Sequence, residues 1–444
     1  MAMKTGIYLL AVLLAAAPLA GQGSPIQWPI PKSPPHEPVF PHVLTAPQEA
    51  ADLLVREKAV PLDVRGPDDY RRGHLPGAVA LWSPDAEGSG GKDRIRSLLA
   101  ARGVTSAATL ILYGASNREA VARPFWLLRW AGCREVRILD GGIAAWRAAG
   151  HAVVSKFSGR SPVAAPWPSR EGVAVDSTWV ADSFGQPGVE LLDVRDARGW
   201  DRWQTPPIFG EGHIPYSLPF DPRLLLPAAG GWPEPLAIRQ RLATLGPRPG
   251  EPVHADSTFV LYGDDVQDPR IGLGYLLLVL AGFDVRVFPG GWREWTAGER
   301  PVVRVVAAAE LAALLRREDP GLSQDRPPRN AILLDLRETP DFAIGHLPGA
   351  RNLPYYSFDA TFEAVVAAGW PGADRAAIPL VFYCYNSDCV RSRKAGSKAA
   401  RLGFGRILWL RGGIQEWRDA GLPLPPTATK VPGSPASGTE RLRP

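Results

Sequence analysis

The sequence predicts an α/β protein made of three tandem copies of one unit, each a mainly parallel sheet flanked by helices. Two motifs recur three times in the same order, and each copy spans more than a hundred residues. An apolar strand lies between the two motifs, and a long helical segment follows it. Because strands that alternate with helices favour parallel pairing, we expect helices on both faces of each sheet.

The first motif is an apolar strand that ends in Asp-x-Arg, followed by Gly-His-x-Pro. Its copies are PLDVRGPDDYRRGHLPGAVAL at residues 61–81, LLDVRDARGWDRWQTPPIFGEGHIPYSLPF at 191–220 and LLDLRETPDFAIGHLPGARNLPY at 333–355. The acid and the base, Asp335 and Arg337 in the third copy, are interpreted as a buried ion pair at the strand end. His346 recurs as His74 and His213 in the other copies, so we expect it to hydrogen-bond the Gly-x-Pro turn.

The second motif is a pair of glycines followed four residues later by tryptophan. Its copies are ILDGGIAAWRAAGHAV at residues 138–153, VFPGGWREWTAGERPV at 287–302 and LWLRGGIQEWRDAGLPL at 408–424. The glycine pair, Gly412 and Gly413 in the third copy, is expected to permit a tight turn from strand to helix. The intervening strands read LILYG at residues 110–114, FVLYG at 259–263 and LVFYC at 380–384.

These two motifs in order resemble the rhodanese (sulfurtransferase) domain, and the resemblance covers nearly the whole mature chain. It implies three tandem rhodanese-like domains, each with a parallel five-stranded sheet. Such an arrangement behind an export signal is similar to exported three-domain thiosulfate sulfurtransferases. We predict domains at residues 42–157, 171–301 and 302–426, and a disordered Pro/Ser/Gly-rich tail at 427–444.

The N-terminus predicts export. Residues 1–23 have the layout of a secretory signal peptide, with Lys4 before an apolar run and small residues after it. The run is short for a membrane span, although an uncleaved anchor is an alternative. We therefore expect a periplasmic or secreted protein without stable membrane insertion, in an oxidising compartment. The net charge of +5 without a long basic block gives no reason to expect a nucleic-acid partner.

The resemblance implies a nucleophilic cysteine directly after the fourth strand of an active domain. Loop amides and a helix N-terminus there stabilise a thiolate. The three copies have Gly114, Gly263 and Cys384 at this position. The distance from Cys384 to Gly403 is 403 − 384 = 19 positions, and from Gly263 to Gly282 it is 282 − 263 = 19, which supports the alignment. Domains one and two are therefore predicted to be inactive and domain three to be catalytic.

A second cysteine lies in the same loop, within VFYCYNSDCVRSRKAG at residues 381–396. Cys389 has basic neighbours, and the loop is about two residues longer than the family pattern, so Cys389 rivals Cys384 as the nucleophile. Strand position favours Cys384. A disulfide between the two is credible in an oxidising compartment. The residues predicted to bind an anionic donor are Arg391, Arg393, Lys394, Asn386 and Ser387.

The pattern does not favour other cysteine chemistry. No second Cys/His cluster accompanies the pair, so a zinc site is not predicted. A Cys-based phosphatase needs an arginine six places after the cysteine. The residue six places after Cys384 is Val390, so a phosphatase is not predicted. Cys133 aligns with Phe283 and Phe404 of the sister copies and is interpreted as a core residue.

The prediction is an exported sulfurtransferase that moves a sulfane sulfur through a cysteine persulfide in the third domain. The donor would be a small anion such as thiosulfate, the acceptor a thiol or a protein, and no metal or organic cofactor is required. One alternative is a periplasmic redox or sulfur-carrier module that uses the Cys384 and Cys389 pair. Another is a binding protein in which all three domains are non-catalytic.

Overall fold

The structure, a computed structural model, describes most of the three repeats. The described residues are 42–56, 58–81, 91–115, 118–157, 159–164, 167, 172–195, 212–228, 230–245, 257–318, 331–369, 372 and 374–424. The predicted signal peptide and C-terminal tail lie outside them. The described residues all belong to one compact body of the chain.

Each repeat forms one sheet, and all strand pairs within the three sheets are parallel. The strands of the first domain are β1 (Leu44–Thr45), β2 (Ala59–Asp63), β3 (Val79–Ala80), β4 (Thr109–Tyr113) and β5 (Glu135–Leu139). Those of the second are β6 (Val189–Asp193), β7 (Leu218–Pro219), β8 (Thr258–Tyr262) and β9 (Asp284–Val287). Those of the third are β10 (Val302–Val306), β11 (Ile332–Asp335), β12 (Arg351–Asn352), β13 (Leu380–Tyr383) and β14 (Arg406–Leu410).

Helices flank the sheets in every domain. The first domain has α1 (Pro47–Val55), α2 (Pro67–Arg72), α3 (Gly91–Ala101), α4 (Arg118–Trp130) and α5 (Gly142–Ala148). The second has α6 (Ser177–Ser183), a 3₁₀ turn (Pro222–Leu225), α7 (Pro235–Leu245), α8 (Pro269–Leu280) and α9 (Gly291–Ala297). The third has α10 (Ala308–Glu318), α11 (Thr339–Ile344), a 3₁₀ turn (Tyr355–Ser357), α12 (Phe358–Gly369), α13 (Arg391–Arg401) and α14 (Gly413–Asp419). None of the helices in the described ranges has the length and apolar character that a membrane span requires.

The strand order confirms the predicted fold. The sheets run β1-β5-β4-β2-β3 in the first domain and β10-β14-β13-β11-β12 in the third. The central strands β2, β8, β11 and β13 are buried along their whole length, as continuous apolar strands covered on both faces should be. Two apolar clusters lie on the third sheet, and their core residues alternate along β13, as expected for clusters on opposite faces of a strand.

The second domain differs from the five-stranded sheet that the resemblance implied. Within the described residues, its sheet has four strands in the order β7-β6-β8-β9. The segment equivalent to β1 is reduced to a single parallel bridge between Ala174 and Val287. Two backbone hydrogen bonds still hold it there, from the amide of Val175 to Val287 and from the amide of Val287 to Val173. The edge position is therefore kept, but the ladder is too short to form a strand.

Domains one and two pack through α4 and α8. A Cβ on Gly272 of α8 would lie 2.5 Å from the Cα of Arg123 on α4, so only glycine allows this approach. Nearby, Nε of Arg129 donates to the hydroxyl of Tyr275 at 2.9 Å, and both residues are buried. One apolar cluster runs through both domains.

Domain three contacts domain two through β10 and α13. His213 pairs with Val303 in an antiparallel bridge. Ser397 of α13 accepts a hydrogen bond from the amide of Tyr216 at 3.0 Å, and Arg401 donates to the carbonyl of Gly185 at 3.1 Å. Helix α13, which follows Cys384 and Cys389 in the chain, is thus held by the second domain.

Candidate active site

The residue that follows the central strand occupies the same place in all three domains. Gly114 follows β4, Gly263 follows β8 and Cys384 follows β13. Cys384 is buried, with 1% of its surface exposed. We call residues 384–390 the cysteine loop.

The segment that begins at the glycine pair of the second motif is hydrogen-bonded to this loop. In the third domain the amides of Ile414 and Gln415 donate to the carbonyls of Cys384 and Tyr385. Gly413 has φ of +61°, and a Cβ there would lie 2.5 Å from the carbonyl oxygen of Cys384. Glycine is therefore required both by the left-handed backbone and by the close approach.

The same support is present in the sister domains. The amide of Ile143 donates to the carbonyl of Gly114 at 3.0 Å, and the amide of Trp292 donates to that of Gly263 at 2.9 Å. Gly142 and Gly291 also have positive φ. The turn predicted for the paired glycines is thus a clamp on the loop that begins after the central strand.

The Asp-x-Arg motif forms the expected buried ion pair. Arg337 Nη2 contacts Asp335 Oδ2 at 2.6 Å, and it also donates to the carbonyl of Gly345. The equivalent pairs are Arg65 with Asp63 at 2.6 Å and Arg195 with Asp193 at 2.7 Å. Because the pair recurs in domains without a cysteine after the central strand, it belongs to the fold and not to the chemistry.

A tyrosine completes this buried network, and the sequence analysis did not single it out. The amide of Leu347 donates to the hydroxyl of Tyr383 at 3.1 Å. Burial first, and then the charge of Asp335, raise the pKa of Tyr383 well above its usual value, so its hydroxyl stays protonated and bonds the carboxylate. The available signal was the tyrosine repeated at the end of LILY, FVLY and LVFY.

The motif histidines of the first and third domains have a different partner from the predicted turn. Nδ1 of His346 lies 3.1 Å from the carbonyl of Phe342 in α11, and the two rings stack at 3.9 Å. His74 makes the same contacts with Tyr70. The ring therefore closes the end of the preceding helix, because the chain turns back at the glycine just before each histidine.

The two cysteines of the cysteine loop form a disulfide. Cys384 and Cys389 are joined with a Cα–Cα distance of 6.2 Å, and Cys389 is half-buried. The amide of Cys389 donates to the carbonyl of Asn386, and the side chain of Asn386 accepts from the amide of Asp388 at 3.2 Å. Ser387 is half-buried and lies within the same turn.

The predicted cations are distributed around the loop. Arg391, the first residue of α13, donates to Glu338 at 3.1 Å and to the hydroxyl of Tyr356 at 3.2 Å. Its guanidinium also lies 6.0 Å from the ring centroid of Tyr385 in the loop. The amide of Lys394 bonds the carbonyl of Val390, closing the first turn of α13. Arg391 is therefore beside the loop but already neutralised in part by Glu338.

Arg393 interacts with charged groups of both the third and the second domain. Burial first, and then the charge of Arg411, lower the pKa of Arg393 to about 10, and Glu190 opposes the shift. Burial lowers the pKa of His213 to about 3, and the charge of Arg393 contributes to this. Its charge therefore affects groups of both domains, and its role in donor binding stays a prediction.

Arg411 is a cation near the loop that the sequence analysis missed. It precedes the glycine pair, and burial lowers its pKa while the carboxylates of Asp388 and Glu416 oppose that shift. The signal lay in the second motif, where Arg411 of the third copy replaces Asp140 and Pro289 of the others. The third domain is therefore the one that places a cation at this motif position.

The sister positions have other surroundings. A cavity of about 340 Å³ beside Gly114 is lined partly by Gly231 and Trp232 of the second domain, and Arg118 donates to the carbonyl of Gly231. A cavity of about 670 Å³ in the second domain is lined by charged residues. Within the described residues, no group of three or more His, Cys, Asp or Glu side chains is arranged to hold a metal ion.

Comparisons with known proteins agree with this architecture. The family described as Rhodanese-like domain matches the chain three times, at residues 46–149, 176–298 and 309–420. A probable 3-mercaptopyruvate sulfurtransferase of Pseudomonas aeruginosa is 32% identical over 283 residues, which is 59% of this chain and 97% of the relative. A putative thiosulfate sulfurtransferase, SseB of Mycobacterium tuberculosis, is 28% identical over 291 residues, or 60% of this chain and 98% of the relative.

Among solved structures, wild-type EanB matches with a TM-score of 0.48 and 21% identity, covering 59% of this chain and 68% of that one.

Three parallel α/β domains with these motifs define the class of tandem sulfurtransferases. The chain belongs to the rhodanese family, with three rhodanese-like domains, and its activity class is sulfur transfer.

Proposed function

We propose that this protein is an exported sulfurtransferase that carries a sulfane sulfur on Cys384. The observation that supports this most is the contrast among three equivalent positions. The clamp of backbone amides is the same in all three domains, but the position after the central strand is Gly114, Gly263 and Cys384. Only the last can act as a sulfur nucleophile.

The proposed reaction starts with the reduced loop. The Cys384 thiolate attacks the outer sulfur of a donor such as thiosulfate, the sulfur–sulfur bond of the donor breaks, and sulfite leaves with the electron pair. Cys384 then carries a persulfide, whose terminal sulfur is taken by a thiol or protein acceptor. Backbone amides of the loop and the N-terminus of α13 stabilise the anionic states without metal or organic cofactor.

The donor would be a small anion. Arg391 lies beside the loop, and Arg411 and Arg393 add positive charge near it. Two relatives are named for 3-mercaptopyruvate and for thiosulfate. 3-Mercaptopyruvate carries one negative charge, on its carboxylate, and thiosulfate carries two. The number of nearby cations favours the dianion, with Asn386 and Ser387 lining the loop that receives it.

Export is part of the proposal. It rests on the signal-like pattern of residues 1–23, which lie outside the described residues, and on a loop disulfide that fits an oxidising compartment. N-terminal sequencing of protein from a periplasmic or secreted fraction tests it. A mature chain starting near residue 24 is expected, and an intact N-terminus on a membrane-bound protein would contradict it.

The experiment that tests the activity is a donor panel on reduced protein. Wild type should release sulfite from thiosulfate, or the corresponding keto acid from 3-mercaptopyruvate, and Cys384→Ser should do neither, because a serine hydroxyl is a poor attacker of sulfur. Cys133→Ala is the matched control, because it removes a buried cysteine far along the chain from the loop. Equal turnover by Cys384→Ser and wild type would reject the proposal.

The disulfide favours a second candidate, a dithiol–disulfide redox module for a partner protein. Such a module would exchange electrons through Cys384 and Cys389 without taking sulfur from a donor. The two candidates separate on one result. Redox activity with a dithiol partner but no sulfite release from thiosulfate would support the second, and sulfite release that depends on Cys384 supports the first.

A further inference from the structure

The cysteine loop brings two sulfur atoms of the chain together. Cys384 ends β13 and Cys389 precedes α13, and both ends of the loop are fixed by backbone hydrogen bonds. The disulfide places the sulfur of Cys389 in bonding contact with that of Cys384. When Cys384 holds a persulfide, a thiol on Cys389 is therefore an intramolecular nucleophile.

The second domain shows that this proximity comes from the backbone and does not depend on the disulfide. Gly263 matches Cys384, and Asp268, five residues later, matches Cys389. An ideal Cβ at Gly263 would lie 2.7 Å from the Cβ of Asp268. The two positions meet in a loop that has no sulfur at all, so the frame itself keeps them adjacent.

We propose that Cys389 is a resolving cysteine, which converts the Cys384 persulfide into the loop disulfide and releases the carried sulfur as hydrosulfide. The inference rests on the proposed function, because it needs the persulfide. It assigns a second reacting group to the site and a second product to the reaction. Effective molarities for such positioned groups are high, so the internal thiol competes well with external acceptors.

The step balances in atoms and electrons. The Cys389 thiolate attacks the inner sulfur on Cys384, a sulfur–sulfur bond forms between the cysteines, and the terminal sulfur leaves as hydrosulfide. With thiosulfate as donor, the two thiols and thiosulfate give sulfite, hydrosulfide, one proton and the disulfide. The two cysteines are oxidised, and the transferred sulfur is reduced to sulfide.

The exposures indicate how the loop is reset. Cys384 is 1% exposed and Cys389 is half-buried, so an external thiol reaches the sulfur of Cys389 more readily. Attack there releases Cys384 as a thiolate beside the loop amides, ready for the next donor. The partner class is therefore a dithiol reductant, which forms a mixed disulfide with Cys389 and leaves as its own disulfide.

The test uses reduced full-length protein, freed of reductant, with one equivalent of thiosulfate and no added thiol. Wild type and Cys133→Ala should release equal amounts of sulfite and sulfide, and their mass should fall by two hydrogen atoms. Cys389→Ser and Cys389→Ala should still release sulfite, lose sulfide release, and gain the mass of one sulfur atom on the loop peptide. Circular dichroism checks that each variant is folded.

The outcomes separate the two levels of the account. Wild type that releases sulfite but keeps the sulfur until a thiol is added would overturn the resolving role and leave the sulfurtransferase intact. Sulfide release that persists in both Cys389 variants would overturn it as well. Wild type that releases neither product would reject the proposed function, and the resolving role with it.

Discussion

The loops after β4, β8 and β13 have the same backbone supports and different side chains. Each is clamped by amides that follow a glycine pair, and each adjoins a buried Asp–Arg pair. The third loop alone carries cysteines at its first position and five residues later. The comparison teaches that the frame is a requirement of the fold, and that chemistry depends on a few residues placed on it.

The surroundings of the loops differ as strongly. The second loop carries Asp264 and Asp265, and Asp265 pairs with Arg293 at 3.0 Å. The third has Tyr385 and Asn386 at those positions, with Arg411 before the glycine pair. The second loop therefore pairs its carboxylates with arginines, whereas the third has Arg411 near Asp388. Restoring a cysteine alone at Gly263 would therefore not recreate the site.

The largest expected effect concerns the shared frame. Asp335→Asn leaves the buried charge of Arg337 uncompensated and should lower the free energy of unfolding of the third domain by about 3–5 kcal/mol. Asp63→Asn should do the same in the first domain, because Arg65 has an equivalent partner. Denaturant titration measures both. A loss confined to Asp335→Asn would mean that the pair serves the active domain only.

The next effect separates fold from chemistry. Gly413→Ala places a Cβ against the Cys384 carbonyl and should slow first-turnover sulfite release by about 100-fold, because a small displacement of the nucleophile is costly. Gly142→Ala creates the same clash 2.6 Å from the Gly114 carbonyl. It should lower stability and leave sulfite release unchanged. Similar rate losses in both variants would show that the domains are coupled in catalysis.

A smaller effect concerns charge beside the loop. Arg391→Ala should raise KM for thiosulfate about tenfold, the equivalent of one charge contact worth ~1.4 kcal/mol. Glu338→Gln should lower that KM, because it frees the guanidinium that Glu338 now holds. Steady-state kinetics with thiosulfate and a neutral donor measures both.

Arg270→Ala is the matched control, since Arg270 is seven residues after Gly263 as Arg391 is after Cys384. It pairs with Asp268 in the second domain and should leave KM unchanged. Equal changes for the neutral donor and thiosulfate would assign Arg391 to the fold.

The smallest effect is expected from Cys133→Ala. Cys133 is buried in the core shared by the first two domains, so the substitution should cost about 1 kcal/mol through a small void. Thermal unfolding measures this cost. Sulfite release should stay at the wild-type rate, and a folded variant that has lost it would show that the first domain takes part in the chemistry.

The fold could be predicted from the sequence because its determinants are local and repeated. The apolar strands, the Asp-x-Arg pair and the paired glycines each occur three times, and each occupies the same place in the structure. The short edge of the second sheet was not predictable. Ala174 forms only one bridge with Val287 of β9, and the number of residues that pair at a sheet edge depends on tertiary packing.

The site was predicted only in part. Cys384 at the strand end follows from alignment of the repeats, whereas the bond to Cys389 depends on the path of a longer loop. The partner of His346 depends on how α11 ends, and the interactions of Arg393 depend on how the second domain packs against α13. These are tertiary contacts, which spacing along the chain does not encode. Arg411 was the exception, since its motif position differs visibly between copies.

The central claim is that a single sulfur atom, on Cys384, accepts the donor's sulfur. The chain has three cysteines, so two double variants isolate the rivals. Cys133→Ala with Cys389→Ser leaves Cys384 alone, and Cys133→Ala with Cys384→Ser leaves Cys389 alone. After one equivalent of thiosulfate, the first should release sulfite and gain one sulfur atom on the loop peptide, and the second should do neither. The account would be contradicted if the variant that keeps only Cys389 released sulfite and gained sulfur while the variant that keeps only Cys384 did neither.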